Sequence, residues 1–253
     1  LDLPQIDNTI CQYAQKDVAI VTGTLDANGE LLPLDNVDLS FKCSPAICDL
    51  GKSNKNNKGT PVLMTKVPLC FNGIVEGSKE GYYKGKSLYS SNQETNNEVL
   101  LTLEPKYKKK VKIYLIEKET GEIRSPYDTE QISFQFDNAN LGYSSSYNYP
   151  GDEEIELLVG DYKINSYVIR NSTWSITTEK QEIETCVDVR AAGLMGFFKT
   201  DTKCQTTTID PIELNYAMTG GARFDYTFER QDLANTETLN LYVPVDPIPS
   251  DLD

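Results

Sequence analysis

The stretch TGTLDANGELLPLDNVDLSFKC, residues 22–43, decides the fold. In its second half apolar residues alternate with polar ones, so that Val37, Leu39 and Phe41 lie on one side of the chain. A period of two is typical of a β-strand with one buried face and one face in water. In its first half, DANGE at 26–30 contains Asn-Gly, the strongest short signal of a hairpin turn. The stretch therefore predicts strands on either side of a tight turn.

The same alternation recurs along the whole chain. Four further segments have apolar side chains at every second position: ISFQF (132–136), IELLV (155–159), RFDYTFE (223–229) and LNLYV (239–243). In the third of them, Phe224, Tyr226 and Phe228 are predicted to face the core. Turn signals separate the segments, and no amphipathic helix of ten or more residues is predicted. We predict an all-β fold of tandem β-sandwich domains, immunoglobulin-like or transthyretin-like, stapled by disulfides.

The charge balance disfavours one class of partner. The 253 residues include 38 acidic and 24 basic side chains, which gives a formal net charge of −14 at pH 7. Nucleic-acid phosphates need cationic partners, so no nucleic-acid binding is predicted. The chain has no histidine, which removes the commonest general base and the commonest zinc ligand besides cysteine. We therefore predict no catalysis, no cofactor and no metal.

The six cysteines predict a disulfide framework. They are Cys11, Cys43, Cys48, Cys70, Cys186 and Cys204. An even number without any CxxC spacing favours disulfides over a zinc site, and hence an oxidising, extracellular compartment. Among the first four, Cys48–Cys70 and Cys11–Cys43 are the preferred pairs, although four cysteines allow three connectivities. Cys186 and Cys204 are predicted to staple the feet of a loop.

The domain boundary is predicted at the basic segment LEPKYKKK, residues 103–110. The predicted organisation has four parts: a linker or extended segment at 1–9, a disulfide-stapled sandwich at 10–105, a second β domain at 110–243 with a disulfide-closed loop at 186–204, and a linker at 244–253. The two ends are rich in Pro and Asp, which is typical of linkers. Such ends predict a segment of a modular protein, and they are candidates to add a strand to the sheet edge of a neighbour.

Part of the first domain resembles a known family. Residues that pair the first two strands in carboxypeptidase regulatory-like (transthyretin-like) domains have counterparts in Gly23, Asp26, Gly29, Pro33, Leu34, Val37 and Leu39. Further on, Glu80, Gly81 and Tyr82 resemble a later strand of that family, and EVLLTLEP at 98–105 resembles its closing strand. The resemblance covers residues 17–105 and implies an accessory, adhesive or spacer module of a prokaryotic surface protein. The inserted cysteines resemble archaeal variants.

Two segments are predicted contact sites. The Tyr-rich segment 141–150 is predicted to be a loop with Tyr143, Tyr147 and Tyr149 available to a partner or a sugar, or else packed over its own sandwich. The predicted loop tip between Cys186 and Cys204 carries apolar residues that either tuck into the core or form an exposed contact surface. These tip residues are Leu194, Met195, Phe197 and Phe198. Asn171, in NST, is a candidate glycosylation site.

Together these features predict a non-enzymatic extracellular or cell-surface module. Protein partners or self-association are expected, in a structural, adhesive or filament role. The alternative is a carbohydrate-binding module of a larger secreted protein, with glycan as the ligand. A glycosidase with two catalytic carboxylates is a third hypothesis. No apolar run reaches the roughly 18–20 residues of a membrane span, so no span is predicted in this segment.

Overall fold

The structure of the chain is a computed structural model. It describes residues 9–92, 97–177, 181–190, 200–209 and 213–247. Within these ranges the chain is nearly all strand, with one 3-10 helix at Thr9–Tyr13 and one α-helix, α1, at Arg230–Asn235. No helix in the described part is long and apolar enough to cross a membrane. The predicted all-β class is confirmed.

Nine strands form the first half. In chain order they are β1 (Lys16–Leu25), β2 (Leu31–Pro33), β3 (Asp38–Cys43), β4 (Ala46–Lys52), β5 (Asn54–Lys55), β6 (Pro61–Val67), β7 (Gly73–Ser78), β8 (Gly85–Tyr89) and β9 (Glu98–Leu103). Strand β1 pairs antiparallel with β2 and β6 and parallel with β9, and β5 pairs with β6. The second sheet has the order β4-β3-β7-β8.

These two sheets enclose the first core. The alternation of the deciding stretch holds, since Val37 and Phe41 are 0% exposed and Leu39 is 2% exposed. They pack in one cluster with residues of the opposite sheet, such as Ile20 and Leu101. The strands therefore bury alternate side chains between two layers, as a β-sandwich does.

The turn signals form the expected turns. At DANGE the Asp26 carboxylate accepts the backbone N–H groups of Asn28 and Glu30, both at 2.8 Å. Gly29 has φ +82°, a left-handed conformation that glycine adopts without strain. The Asn56 turn repeats this pattern, with its side-chain oxygen accepting two backbone N–H groups. The Asp26 carboxylate thus accepts hydrogen bonds from within its own turn.

The remaining ten strands form the second half. They are β10 (Tyr107–Glu117), β11 (Ile123–Arg124), β12 (Glu130–Asn138), β13 (Tyr143–Tyr149), β14 (Glu154–Leu157), β15 (Gly160–Thr177), β16 (Gln181–Arg190), β17 (Thr200–Ile209), β18 (Glu213–Phe228) and β19 (Thr238–Val245). Eight of them form one sheet in the order β11-β10-β19-β18-β15-β12-β13, with β14 beside β10. Strands β16 and β17 form a separate hairpin.

The eight-stranded sheet folds back on itself around the second core. Strands β18 and β19 are paired only at Gly220 and Val245, while β10 and β19 run parallel over eight residue pairs. Aromatic side chains fill the space between the layers, with Tyr162 and Phe228 in edge-to-face contact at 5.4 Å between ring centroids. Phe136 joins them and is 0% exposed. The second core is thus more aromatic than the first.

The two halves touch through a small polar interface. The Tyr83 hydroxyl donates to the Leu141 carbonyl at 2.7 Å, and the Tyr83 ring meets the Tyr143 ring edge-on at 5.5 Å. Arg230 of α1 reaches back to Glu104, with a shortest N–O distance of 2.6 Å. The described cores nonetheless stay separate clusters, one formed by residues up to 103 and the other by residues from 107 onward.

One alternating segment differs from expectation. Phe224 and Tyr226 lie on the same face of β18 as the buried Phe228, because they pair with Ile164 and Tyr162. They are nevertheless 37% and 48% exposed. Strand β19 pairs with β18 at one residue only, so no described strand continues alongside this stretch. Alternation identified the face, but this part of β18 is an edge of the described sheet, so its side chains stay partly exposed.

Candidate functional site

The disulfides are Cys11–Cys48, Cys43–Cys70 and Cys186–Cys204. Disulfide stapling is confirmed, but the preferred pairing of the first four cysteines was wrong. That pairing requires Cys48 to lie in a loop after the strand that ends at Cys43. The β3–β4 hairpin is tighter, so Cys48 lies on β4 and is only 5% exposed. It faces the core next to the 3-10 helix that carries Cys11, and this leaves Cys43 for Cys70.

The third disulfide lies in the β16–β17 hairpin. Cys186 and Cys204 are directly opposite in its ladder, and the strands continue on both sides of them. Every side chain that the structure describes in this hairpin is exposed, including Ile183 at 48% and Val187 at 56%. The four apolar tip residues, Leu194, Met195, Phe197 and Phe198, lie outside the described residues. Their role as a contact surface remains a prediction.

The Tyr-rich segment is a strand, not the predicted loop. Tyr143, Tyr147 and Tyr149 lie on β13, paired with β12, and their side chains turn toward the second core. Tyr147 is 3% exposed. Burial, with Tyr162 and Glu156 nearby, raises the pKa of Tyr143 to about 12. Tyr147 is therefore a packing residue of its own sandwich, and Tyr143 and Tyr149 are partly buried against the same core. Contact of Tyr143 and Tyr149 with a partner remains a prediction.

Asn171 is exposed near the middle of β15, where it pairs with Tyr216. Its backbone N–H donates to the Thr129 carbonyl at 2.8 Å. A solvent-facing side chain is what glycosylation requires, so the residue keeps its place as a candidate site. Nothing else in the structure bears on its modification.

An apolar surface covers the outer face of the first sandwich. It consists of outward-facing apolar side chains on four neighbouring strands. They are Ala19 and Val21 of β1, Val62 and Met64 of β6, Leu100 of β9, and Leu31 of β2, which lies beside Gly23. We call this set the β1 face. The ladder places Met64 beside Ala19, and Val62 and Leu100 on either side of Val21. Met64 is 71% exposed, Leu100 52% and Leu31 49%, so the wet side of a sheet is apolar here.

The opposite sheet of the same sandwich carries a smaller apolar row. Ile47, Ile74 and Leu88 follow one another across β4, β7 and β8, with Lys42 of β3 between the first two. Leu88 is 78% exposed. Beside this row the Glu76 carboxylate pairs with Lys42 at 2.6 Å and with Lys86 at 3.6 Å. Burial raises the pKa of Glu76, but the two lysines together bring it below its usual value. Alternation along the single strands predicted that these outer faces are polar. The register between strands brings their apolar residues together, and a single strand does not show that register.

A buried charge cluster lies in the second half. Glu130 has no exposed side-chain surface and accepts two hydrogen bonds from Arg124, two from Arg170 and one from the Tyr127 N–H. Glu117 also bonds Arg124, at 2.8 Å. Two guanidinium groups around one carboxylate leave no open coordination position for a substrate. This cluster is a structural element, and sequence reasoning missed it.

No protein-family model matches the chain, and no curated protein matches it. Solved structures match at low similarity. The shaft pilin spaA of Lactobacillus rhamnosus GG is 9% identical, with 92% of this chain and 98% of that chain covered and a TM-score of 0.28. A streptococcal ancillary pilin is 10% identical, with 93% and 63% covered and a TM-score of 0.31. The Bacillus anthracis TIE protein is 11% identical, with 92% and 52% covered and a TM-score of 0.23.

At these TM-scores the chains do not superpose as wholes, so no functional conclusion rests on the likeness. The all-β class stands on the strands of this chain. The finer transthyretin-like assignment remains a prediction, and its archaeal connection has no support in these structures.

Proposed function

We propose that the protein is a non-enzymatic extracellular module of a cell surface or filament that works through protein–protein contacts. The observation that carries the proposal is the β1 face. Apolar surface on the solvent side of a sheet is uncommon on a protein that acts alone, because covering it releases free energy of about 25 cal/mol per Å². The disulfides support the extracellular location in this proposal, because disulfides persist in an oxidising compartment.

The geometry favours repeated contacts between copies. The β1 face and the apolar row of Ile47, Ile74 and Leu88, which we call the Leu88 row, lie on opposite sheets of one sandwich. If the β1 face of one copy covers the Leu88 row of the next, the contact is heterologous. A heterologous contact that does not close into a ring produces a filament. We further propose that residues 10–105 and 110–243 are two domains, because each described core gathers residues from one side of the 103–110 segment.

The test places a charge in the β1 face. Met64→Lys and Leu100→Lys change exposed side chains, so folding should be retained while an apolar contact is disrupted. Gln131→Lys, at an exposed position on β12 in the other half, is the matched control. We expect the unmodified chain and the control to assemble with rising concentration in negative-stain micrographs and sedimentation velocity. Both β1-face variants should remain monomeric.

Two results would contradict the proposal. One is a chain that stays monomeric at every concentration and captures no protein from the surface of its source cell. The other is assembly that Met64→Lys and Leu100→Lys leave unchanged. Circular dichroism of each variant separates lost assembly from lost folding.

A further inference from the structure

A second surface feature is an open groove of about 470 Å³ on the second sandwich. Tyr167 and Asn165 line it from β15 and Arg223 from β18, with Lys118 and Asp246 at one end. This volume falls within the range of small-ligand sites, roughly 300–1,000 Å³. We call it the Tyr167 groove. It is separate from the β1 face, which belongs to the other half of the chain.

Two of the residues that line the groove are glycines at positions with no room for a side chain. A Cβ on Gly220 would lie 2.5 Å from the Pro244 carbonyl oxygen, and one on Gly221 would lie 2.4 Å from that of Ser166. Next to these glycines the β15–β18 ladder shifts register at Thr219, as it does at a β-bulge. Such bulges re-aim side chains and are frequent next to binding sites.

An exposed aromatic ring also lines the groove. Tyr167 faces outward, and its cross-strand partner is Gly221, which has no side chain to cover it. The Tyr167 side chain is accordingly 48% exposed. A tyrosine held on a strand offers rigid amphipathic contact area at low entropic cost. The ring can therefore serve as a platform for a flat ligand face.

The groove carries an unbalanced positive charge. Of the arginines whose side chains the structure describes, Arg124 and Arg170 bind Glu130, and Arg230 binds Glu104. Arg223 is the one in that set without an ion pair. At the end of the groove Lys118 and Asp246 neutralise each other at 2.6 Å. A free guanidinium on a protein of net charge −14 is a local site for an anion.

We propose that the Tyr167 groove binds a carboxylate-bearing sugar residue of an acidic glycan. The sugar ring lies on Tyr167, Arg223 binds the carboxylate in the forked geometry that guanidinium groups favour, and the Asn165 amide binds a hydroxyl. Asn165 and Arg223 are cross-strand partners, so both reach the same point.

The experiment measures binding of tetragalacturonic acid to the full chain by calorimetry. A neutral galactose tetramer and a glutamate-rich peptide serve as comparison ligands. We expect Arg223→Gln to weaken binding of the acidic tetramer about tenfold or more, because a hydrogen bond to a charged group is lost. Tyr167→Ala should weaken it comparably. Lys163→Gln is the matched control, since it removes a cation from an exposed position on β15, outside the groove, and it should change affinity less than twofold.

Every other pattern overturns the proposal. No binding of the tetramer removes the ligand class, and equal losses in Arg223→Gln and Lys163→Gln reduce the effect to general electrostatics. Equal affinity for the neutral tetramer removes the role of the carboxylate, and stronger binding of the glutamate-rich peptide assigns the groove to acidic protein segments. Unchanged circular dichroism of Arg223→Gln and Tyr167→Ala ensures that the losses are local.

Discussion

The two halves of the molecule are stabilised in different ways. In the first, two disulfides join the 3-10 helix and the β3–β4 hairpin to the rest of the sandwich, around an aliphatic core. In the second, the described disulfide lies out in the exposed β16–β17 hairpin. Its core depends on packed aromatic rings and on the buried Glu130 cluster.

The difference shows what each device does. A disulfide stabilises chiefly by restricting the unfolded chain, so it suits segments with few core contacts of their own. The 3-10 helix at Thr9–Tyr13 is such a segment, because it contains no buried residue. A buried carboxylate between two guanidinium groups acts in the folded state, where every lone pair must be satisfied. Its side chains come from β11, β12 and β15, so the cluster holds these three strands together.

The largest expected effect follows from breaking the Glu130 cluster. Glu130→Gln leaves Arg124 and Arg170 buried with one neutral partner, and losing one member of a buried ion pair costs about 3–5 kcal/mol. Urea unfolding at neutral pH measures this loss. Glu156→Gln is the matched control, because Glu156 holds Lys106 and Lys108 at the surface and should cost less than about 1 kcal/mol.

The pH dependence of stability provides a second check on Glu130. Burial raises the pKa of this carboxyl, but hydrogen bonds from Arg124, Tyr127 and Arg170 outweigh it, so the pKa lies below its usual 4.5. A depressed folded-state pKa contributes stability above the unfolded value, which is lost as pH falls from 4.5 through the folded pKa. Glu130→Gln should flatten that acid limb. An unchanged limb would mean that other carboxylates control it.

The disulfides should differ by location. Replacing Cys43 and Cys70 with alanine opens a link of 27 residues and should cost about 3 kcal/mol of global stability. Replacing Cys186 and Cys204 opens a link of 18 residues, yet it should leave the main unfolding transition nearly unchanged, because β16 and β17 pair only with each other. Calorimetry of the two double variants measures the loss of stability in each. Equal losses would contradict the contrast between the halves.

The smallest effect is expected at the contact between the halves. Tyr83→Ala removes the hydrogen bond to Leu141 and the ring contact with Tyr143, and an exposed contact of this kind is worth about 1 kcal/mol. Tyr13→Ala, at a tyrosine that is 70% exposed, is the control. If the contact couples the halves, Tyr83→Ala should separate their unfolding transitions in calorimetry. A single unshifted transition would show that the contact carries no coupling.

Much of the fold was predictable, and the misses have physical causes. Alternation located β3, β12 and β19 because each has one largely buried face. It failed at β13, where three serines between tyrosines suggested a loop although Tyr143, Tyr147 and Tyr149 keep a period of two. It overstated burial at Phe224 and Tyr226, because a strand's own pattern does not show whether another strand lies beside it in the sheet.

The candidate sites were less predictable than the fold. For the Tyr-rich segment the packing alternative holds at Tyr147, and Tyr143 and Tyr149 are partly buried. The β1 face and the Tyr167 groove were not foreseen. Met64, Leu31 and Leu100 are far apart in sequence and become neighbours only through pairing with β1. Tyr167 has no side chain beside it across the strands because its partner is Gly221. Neither relation leaves a signal along the chain.

The sequence by itself determined the all-β class, the turn at DANGE, and the use of cysteine for disulfides, because these depend on local periodicity, backbone conformation and residue chemistry. The tertiary structure alone decided which cysteines pair, which carboxylate is buried between two arginines, and which apolar residues gather on a wet face. Those outcomes depend on strand order and register, including the parallel pairings of β1 with β9 and β10 with β19. Such pairings join residues distant in sequence, and no local pattern specifies them.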